Sequence, residues 1–170
     1  NRLDRLDEAA PIYDALLLQD KISLKRLPSY RGERDWRNLP VSTIMTHDAV
    51  TVGADDTLAS TLADAIANQR HHAYPVVDES RQLLGMITRH EIEDASRRDR
   101  EQRIRDIFPE KKLISVTPDT SIRDVANRLV LGEVEQAPVV SKTDPQRLLG
   151  IITLHDIARQ QNAILEKEED

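Results

Sequence analysis

The ten residues 83–92, LLGMITRHEI, return almost unchanged at 148–157 as LLGIITLHDI, and that return limits what the chain can fold into more than any other feature. In each copy a short apolar run broken by one glycine, Gly85 or Gly150, suits a buried strand. A threonine follows, Thr88 or Thr153, with a carboxylate three residues on, Glu91 or Asp156, which is the pattern that opens and caps a helix. A strand running straight into a helix leaves the helix's first N–H groups unpaired near one edge. Such an edge receives a phosphate or a ribose well.

The two copies close longer repeats. The first begins with a helical turn at 41–45 and a strand at 50–52. A helix follows at 57–69, with Leu58, Leu62, Ala65 and Ile66 inward and Asp56 or Thr57 at its cap. Strands at 73–78 and 83–87 then flank a turn, and a helix runs over 88–98. The second repeats the order: a turn at 104–108, a strand at 114–116, and a helix at 121–131 with Ile122, Val125, Ala126 and Leu129 inward. Strands at 137–141 and 148–152 and a helix at 153–165 complete it. The offset is 64 from Leu58 to Ile122, 63 from Pro75 to Pro138 and 65 from Gly85 to Gly150. One order at near-constant spacing means duplication, and the fold class is α+β, built of β-α-β-β-α repeats. Repeats of roughly 60 residues are marginal alone, so the halves are expected to bury apolar surface against each other.

Residues 1–19 read as two helical pieces, with Leu3, Leu6, Ala10, Tyr13, Leu16 and Leu17 at three- and four-residue steps and Pro11 opening the second. Residues 21–38 read as a loop-rich linker with a short strand at 22–27, and Trp36, the single tryptophan, as a packing anchor. The expected division is a helical segment and linker at 1–40, repeats at 41–99 and 100–165, and a charged tail at 166–170. The charge run 97–103 reads as a solvated linker.

Several function classes drop out. The net charge of −6 and the lack of a basic patch interleaved with aromatics argue against nucleic acid. With no cysteine there is no disulfide, no Cys-ligated zinc and no thiol nucleophile. GxSxG and P-loop motifs are absent, and His155 and Asp156 are adjacent, so on a helix they face different ways. No catalytic residues and no enzyme activity are expected. The five histidines show no short metal-ligand spacing, so no metal is expected either. No stretch approaches the roughly 18–20 apolar residues that cross a bilayer. The chain starts at Asn1 rather than Met and is read as a segment of a longer protein.

Two copies of a β-α-β-β-α unit, carrying AYPVVD and APVVS and then G-x-[IV]-T-x-x-[DE], resemble a tandem pair of CBS domains, a Bateman module, over about residues 41–165. The resemblance implies two domains related by a pseudo-twofold axis, with two clefts between them, each suited to an adenosine nucleotide (ATP, ADP or AMP). It also implies a regulator rather than a catalyst, and a homodimer. Residues 11–19, PIYDALLLQ, resemble the stretch that leads from the last membrane helix of prokaryotic ClC chloride channels and transporters into their cytoplasmic CBS pair. That implies the cytoplasmic regulatory domain of an integral membrane protein, its partner the membrane-embedded transport domain of the same chain.

Carried onto this sequence, the nucleotide-binding positions of such pairs are Thr51, His71 and His72 from the first half, with Thr153, His155 and Asp156 from the second. Asp156 can accept from both ribose hydroxyls, and Thr153 with the first N–H groups of its helix can face a phosphate. The histidines can add positive charge or stack. His71 stands where related sites place a larger aromatic ring. The opposite cleft takes Ser115, Val134 and Glu135 with Thr88, His90 and Glu91. Its two carboxylates repel a polyphosphate, so it is expected to be empty or to hold something uncharged. Capping alone also accounts for Thr88/Glu91 and Thr153/Asp156. The alternatives are a ligand-free structural dimerisation module and a CBS pair that regulates another host.

Overall fold

The computed structural model describes residues 35–66, 71–108 and 112–168. The helical pieces expected at 1–19, the strand at 22–27 and the end of the helix at 67–69 lie outside the described residues. So do the side chains of Ala65 and Ile66. The chain divides into two compact units. One takes residues up to Met45 with Pro118–Ala137 and everything from Ile152 on; the other takes Thr46–Thr117 with Pro138–Ile151.

The second of these units holds a three-stranded sheet of β1 (Val52–Gly53), β2 (Ala73–Val77) and β3 (Leu83–Thr88). β1 runs parallel to β2, with Val52 opposite Val76. β2 and β3 are antiparallel, with Tyr74 opposite Ile87, and a bulge at Val76/Val77 shifts the register so that Val77 meets Leu83. The hairpin turns through Arg81 at φ 60, where Gln82 N–H donates to Asp78 Oδ1 at 2.9 Å. All five residues of β2 are buried, whereas β3 alternates until Thr88, so β2 is covered on both faces and β3 on one. Helices α1 (Leu58–Thr61) and α2 (Arg89–Ser96) close the unit. Its core is Val52, Ala54, Leu58, Tyr74, Val76, Ile87, Ile92, Ala95 and Ile104.

Two expectations are corrected here. The helix predicted over 57–69 is α-helical only to Thr61 and continues as a π turn over Leu62–Ile66. Hydroxyls compete for the backbone at that point: Ser60 and Thr61 both donate to the Thr57 carbonyl, at 3.0 and 2.9 Å. The strand predicted at 114–116 shrinks to a single parallel bridge between Val116 and Val139. In the first repeat Ala54 N–H extends the ladder by donating to Val77. The residue 64 further on is Pro118, which has no N–H to donate.

In the first-named unit, the short 3-10 turn at Trp36–Asn38 lies against α3 (Ile122–Leu131), a second turn at Val41–Thr43 bonds to Thr120 and Pro118 just before it, and α4 (Leu154–Glu168) packs on α3. Ser121 caps α3 by accepting from Asp124 N–H at 3.1 Å. Ile122, Val125, Ala126 and Leu129 are fully buried, as the periodicity predicts, and Trp36 is 6% exposed, which makes it an anchor. β4 (Gln136–Val140) pairs with β5 (Leu148–Thr153), and both strands start in one unit and finish in the other.

Each unit combines the leading turn of one repeat with the helix of the other. Val41 N–H donates to Thr120 O at 2.8 Å and Ile122 N–H to Leu39 O at 3.0 Å. In the other unit Ile104 N–H donates to Asp56 O at 3.0 Å and Leu58 N–H to Gln102 O at 2.8 Å. The two sets are pseudo-symmetric mates, and the repeats have exchanged their turns.

Candidate functional site

The six candidate residues fall into two groups, one in each unit. Thr153 ends β5 and caps α4. Its N–H donates to Asp156 Oδ2 at 3.0 Å, and Asp156 N–H donates back to Thr153 Oγ1 at 3.0 Å. The next amide, Leu154 N–H, donates to Glu135 O at 2.9 Å. Thr153 and Asp156 are half-buried and His155 is exposed. The cap engages Oδ2, and Asp156 Oδ1 makes no hydrogen bond among the described residues. One carboxylate oxygen thus holds the helix start while the other keeps both lone pairs for a donor such as a ribose hydroxyl.

In the other unit, Thr51 is half-buried immediately before β1, and His71 and His72 are exposed immediately before β2. The His71 ring stands edge-on to Tyr74, with centroids 6.1 Å apart and planes at 89°. Tyr74 Oη donates to His71 O at 3.4 Å, and Arg89 N–H donates to His72 O at 2.8 Å. Both histidines are therefore positioned through their carbonyls by buried or helical neighbours, which leaves their rings at the strand mouth. Burial holds the Tyr74 phenol above its usual range, against the opposing charge of Arg89. Tyr74 and Arg89 are the supports that sequence reasoning missed. The signal was present for Tyr74, which is the aromatic beside Pro75 in the AYPVVD strand.

The residues expected to form an opposite cleft also divide between the units. Thr88 and Glu91 make a complete capping box at 2.8 and 3.1 Å, and His90 Nε2 lies 3.0 Å from Asp94 Oδ2. Glu91 also lines a groove of about 460 Å³ with Asp94, Arg98, Gln102 and Asp106. Three carboxylates there disfavour a phosphate. Among the described residues no group of three or more His, Cys, Asp or Glu is placed to hold a metal ion. No described helix is long and apolar enough to cross a membrane.

A duplicated α+β unit, with polar side chains at strand ends and at a helix start, defines the class of tandem-repeat α+β modules. The CBS domain family matches residues 41–98 and again 104–162, and the chain belongs to that family as a tandem CBS pair. Among curated relatives, the inosine-5'-monophosphate dehydrogenase of Rhizobium tropici is 31% identical over 117 residues, which cover 69% of this chain and 23% of that enzyme. The chain spans under a quarter of the length of the first such relatives it matches. Among solved structures, the CBS domain pair of protein MJ0100, in complex with 5'-methylthioadenosine and S-adenosyl-L-methionine, is 25% identical with a TM-score of 0.60. The match covers 71% of this chain and 98% of that one. The cytosolic domain of the Mg2+ channel MgtE, in complex with ATP, is 25% identical with a TM-score of 0.61, covering 72% of this chain and 49% of that one.

Proposed function

We propose that this CBS pair is the regulatory part of a larger protein and binds an adenosine nucleotide (ATP, ADP or AMP) through Thr51, His71, His72, Thr153, His155 and Asp156. The observation that carries the reading is the state of Asp156: one oxygen closes the start of α4 and the other is uncommitted. Two CBS structures at 25% identity with adenosine ligands bound support the same chemistry. Asp156 takes the ribose hydroxyls, the Thr153 hydroxyl at the start of α4 faces phosphate, and His71 or His72 adds charge or stacks on the base. Binding then biases the host by no more than the nucleotide's differential affinity for its two states.

For the host we propose a ClC-type chloride channel or transporter, with the pair on the cytoplasmic side, a homodimer, and the transport domain in the same chain. Residues 11–19 support this reading. A soluble enzyme host is the second reading, favoured by the match to inosine-5'-monophosphate dehydrogenase. The test is isothermal titration calorimetry of the chain with ATP, ADP, AMP and adenosine, beside Asp156→Ala. Saturable binding at micromolar to low-millimolar level, at least tenfold weaker in Asp156→Ala, is expected. No heat and no thermal stabilisation by any of the four at several millimolar would leave the chain a structural dimerisation module.

A further inference from the structure

Residue 35 is tied down from two sides. The Asp35 carboxylate accepts from Arg37 N–H at 3.0 Å and caps the turn Trp36–Asn38. It also receives Arg37 Nε at 2.8 Å and Arg37 Nη2 at 2.6 Å, while Arg123 Nη2 reaches Asp35 Oδ2 at 2.8 Å. Arg123 Nε adds a longer bond to Asn38 Oδ1 at 3.5 Å. Arg123 is the second residue of α3, in the other repeat. The three charged side chains are only 17–28% exposed, and Trp36 between them in sequence is buried. Charge-assisted bonds shielded to that degree hold far better than ion pairs in open solvent.

The duplication supplies an internal control. At the mirrored junction the positions of Asp35, Trp36 and Arg37 are taken by Arg98, Asp99 and Arg100, and that of Arg123 by Ala59. That junction closes with backbone bonds, Leu58 N–H to Gln102 O at 2.8 Å and Ala59 N–H to Arg100 O at 3.0 Å. The first junction keeps the same kind of bond, Ile122 N–H to Leu39 O. The repeat therefore closes without the clamp, which is added only where the chain arrives from residues 1–34.

We propose that the Asp35–Arg123 clamp, with buried Trp36, is a mechanical joint that ties the chain before residue 35 to helix α3 of the second repeat. Displacement of residue 35 then moves α3, and α4 packed on it, rather than the first repeat's own helices. The joint is independent of what the pair binds.

Hydrogen exchange of the 170-residue chain tests it, comparing wild type with Asp35→Asn, Arg123→Gln and the double variant. Either single change is expected to speed exchange at 36–39 and at 122–125 together, by roughly tenfold, with no further gain in the double variant. Arg123→Lys, which keeps the charge and loses the fork, should fall between. Asp55→Asn, which breaks the exposed Asp55–Arg105 pair, should change neither segment. Faster exchange at 36–39 alone would mean a local cap and would overturn the joint. So would effects that add in the double variant.

Discussion

A methyl group added at Gly150 would fall on the carbonyl oxygen of Thr46. That oxygen is already fixed by the Ile151 N–H at 2.9 Å, so nothing there can step aside. At Gly85 the added carbon would meet the Phe108 ring at 2.5 Å, and a side chain can rotate where backbone cannot. Gly150→Ala should therefore cost about 3 kcal/mol and Gly85→Ala about 1 kcal/mol, read by urea unfolding, and Phe108→Leu should relieve the second but not the first. Asp35 makes a second residue-scale prediction. Burial pushes its carboxyl up, but the hydrogen bonds from Arg37 and the charges of Arg37 and Arg123 outweigh this and hold it below the usual carboxylate range. A carboxylate whose folded pKa lies below its unfolded value of about 3.9 contributes fully above that value and loses its contribution as pH falls through the folded one. Wild type should melt above Asp35→Asn by a constant margin at neutral pH, and the margin should close below about pH 4.

At the scale of elements, the two repeats separate what a pattern dictates from what it leaves open. Helix α3 was legible to the residue because IRDVANRLVL puts apolar groups on one face and has no hydroxyl inside to compete for its carbonyls. The matching LASTLADAI has the same apolar spacing with Ser60 and Thr61 added, and spacing carries no trace of the π turn that follows them. The Thr153/Asp156 cap was legible from its spacing, and the place of His71 and His72 just before β2 from the order of the elements. Their supports were not, because Tyr74 and Arg89 act on carbonyls that only folding brings near. Helix α4 carries one local inconsistency. Gln161 lies on the buried stripe with Leu154, Ile157 and Ala158, is 6% exposed, and its side chain makes no hydrogen bond among the described residues. Gln161→Leu should raise stability by about 1 kcal/mol in the same unfolding assay, since it removes a buried amide and keeps the volume.

On the scale of the whole molecule, the exchanged turns make each repeat insufficient. Ile104, fully buried in the core with Leu58, Tyr74 and Ile92, belongs to the second repeat, so a fragment of residues 41–99 lacks part of its own centre. Val41, equally buried and bonded through its N–H to Thr120 O, is missing from residues 100–165. Each fragment alone should show collapsed proton chemical-shift dispersion, and mixing the two should restore it. The sequence repeat was plain from two near-identical decapeptides, but the exchange was invisible, because apolar residues mark what is buried and not whose helix buries it. In this arrangement a single repeat would need the helix of another copy to cover its turn, so the fold requires two copies, in one chain or in two. Carrying both copies in one chain replaces an association that depends on concentration with one fixed by a peptide bond, and leaves the two halves able to differ. The clamp at Asp35, with no counterpart at the mirrored junction, is a difference of the kind that freedom permits.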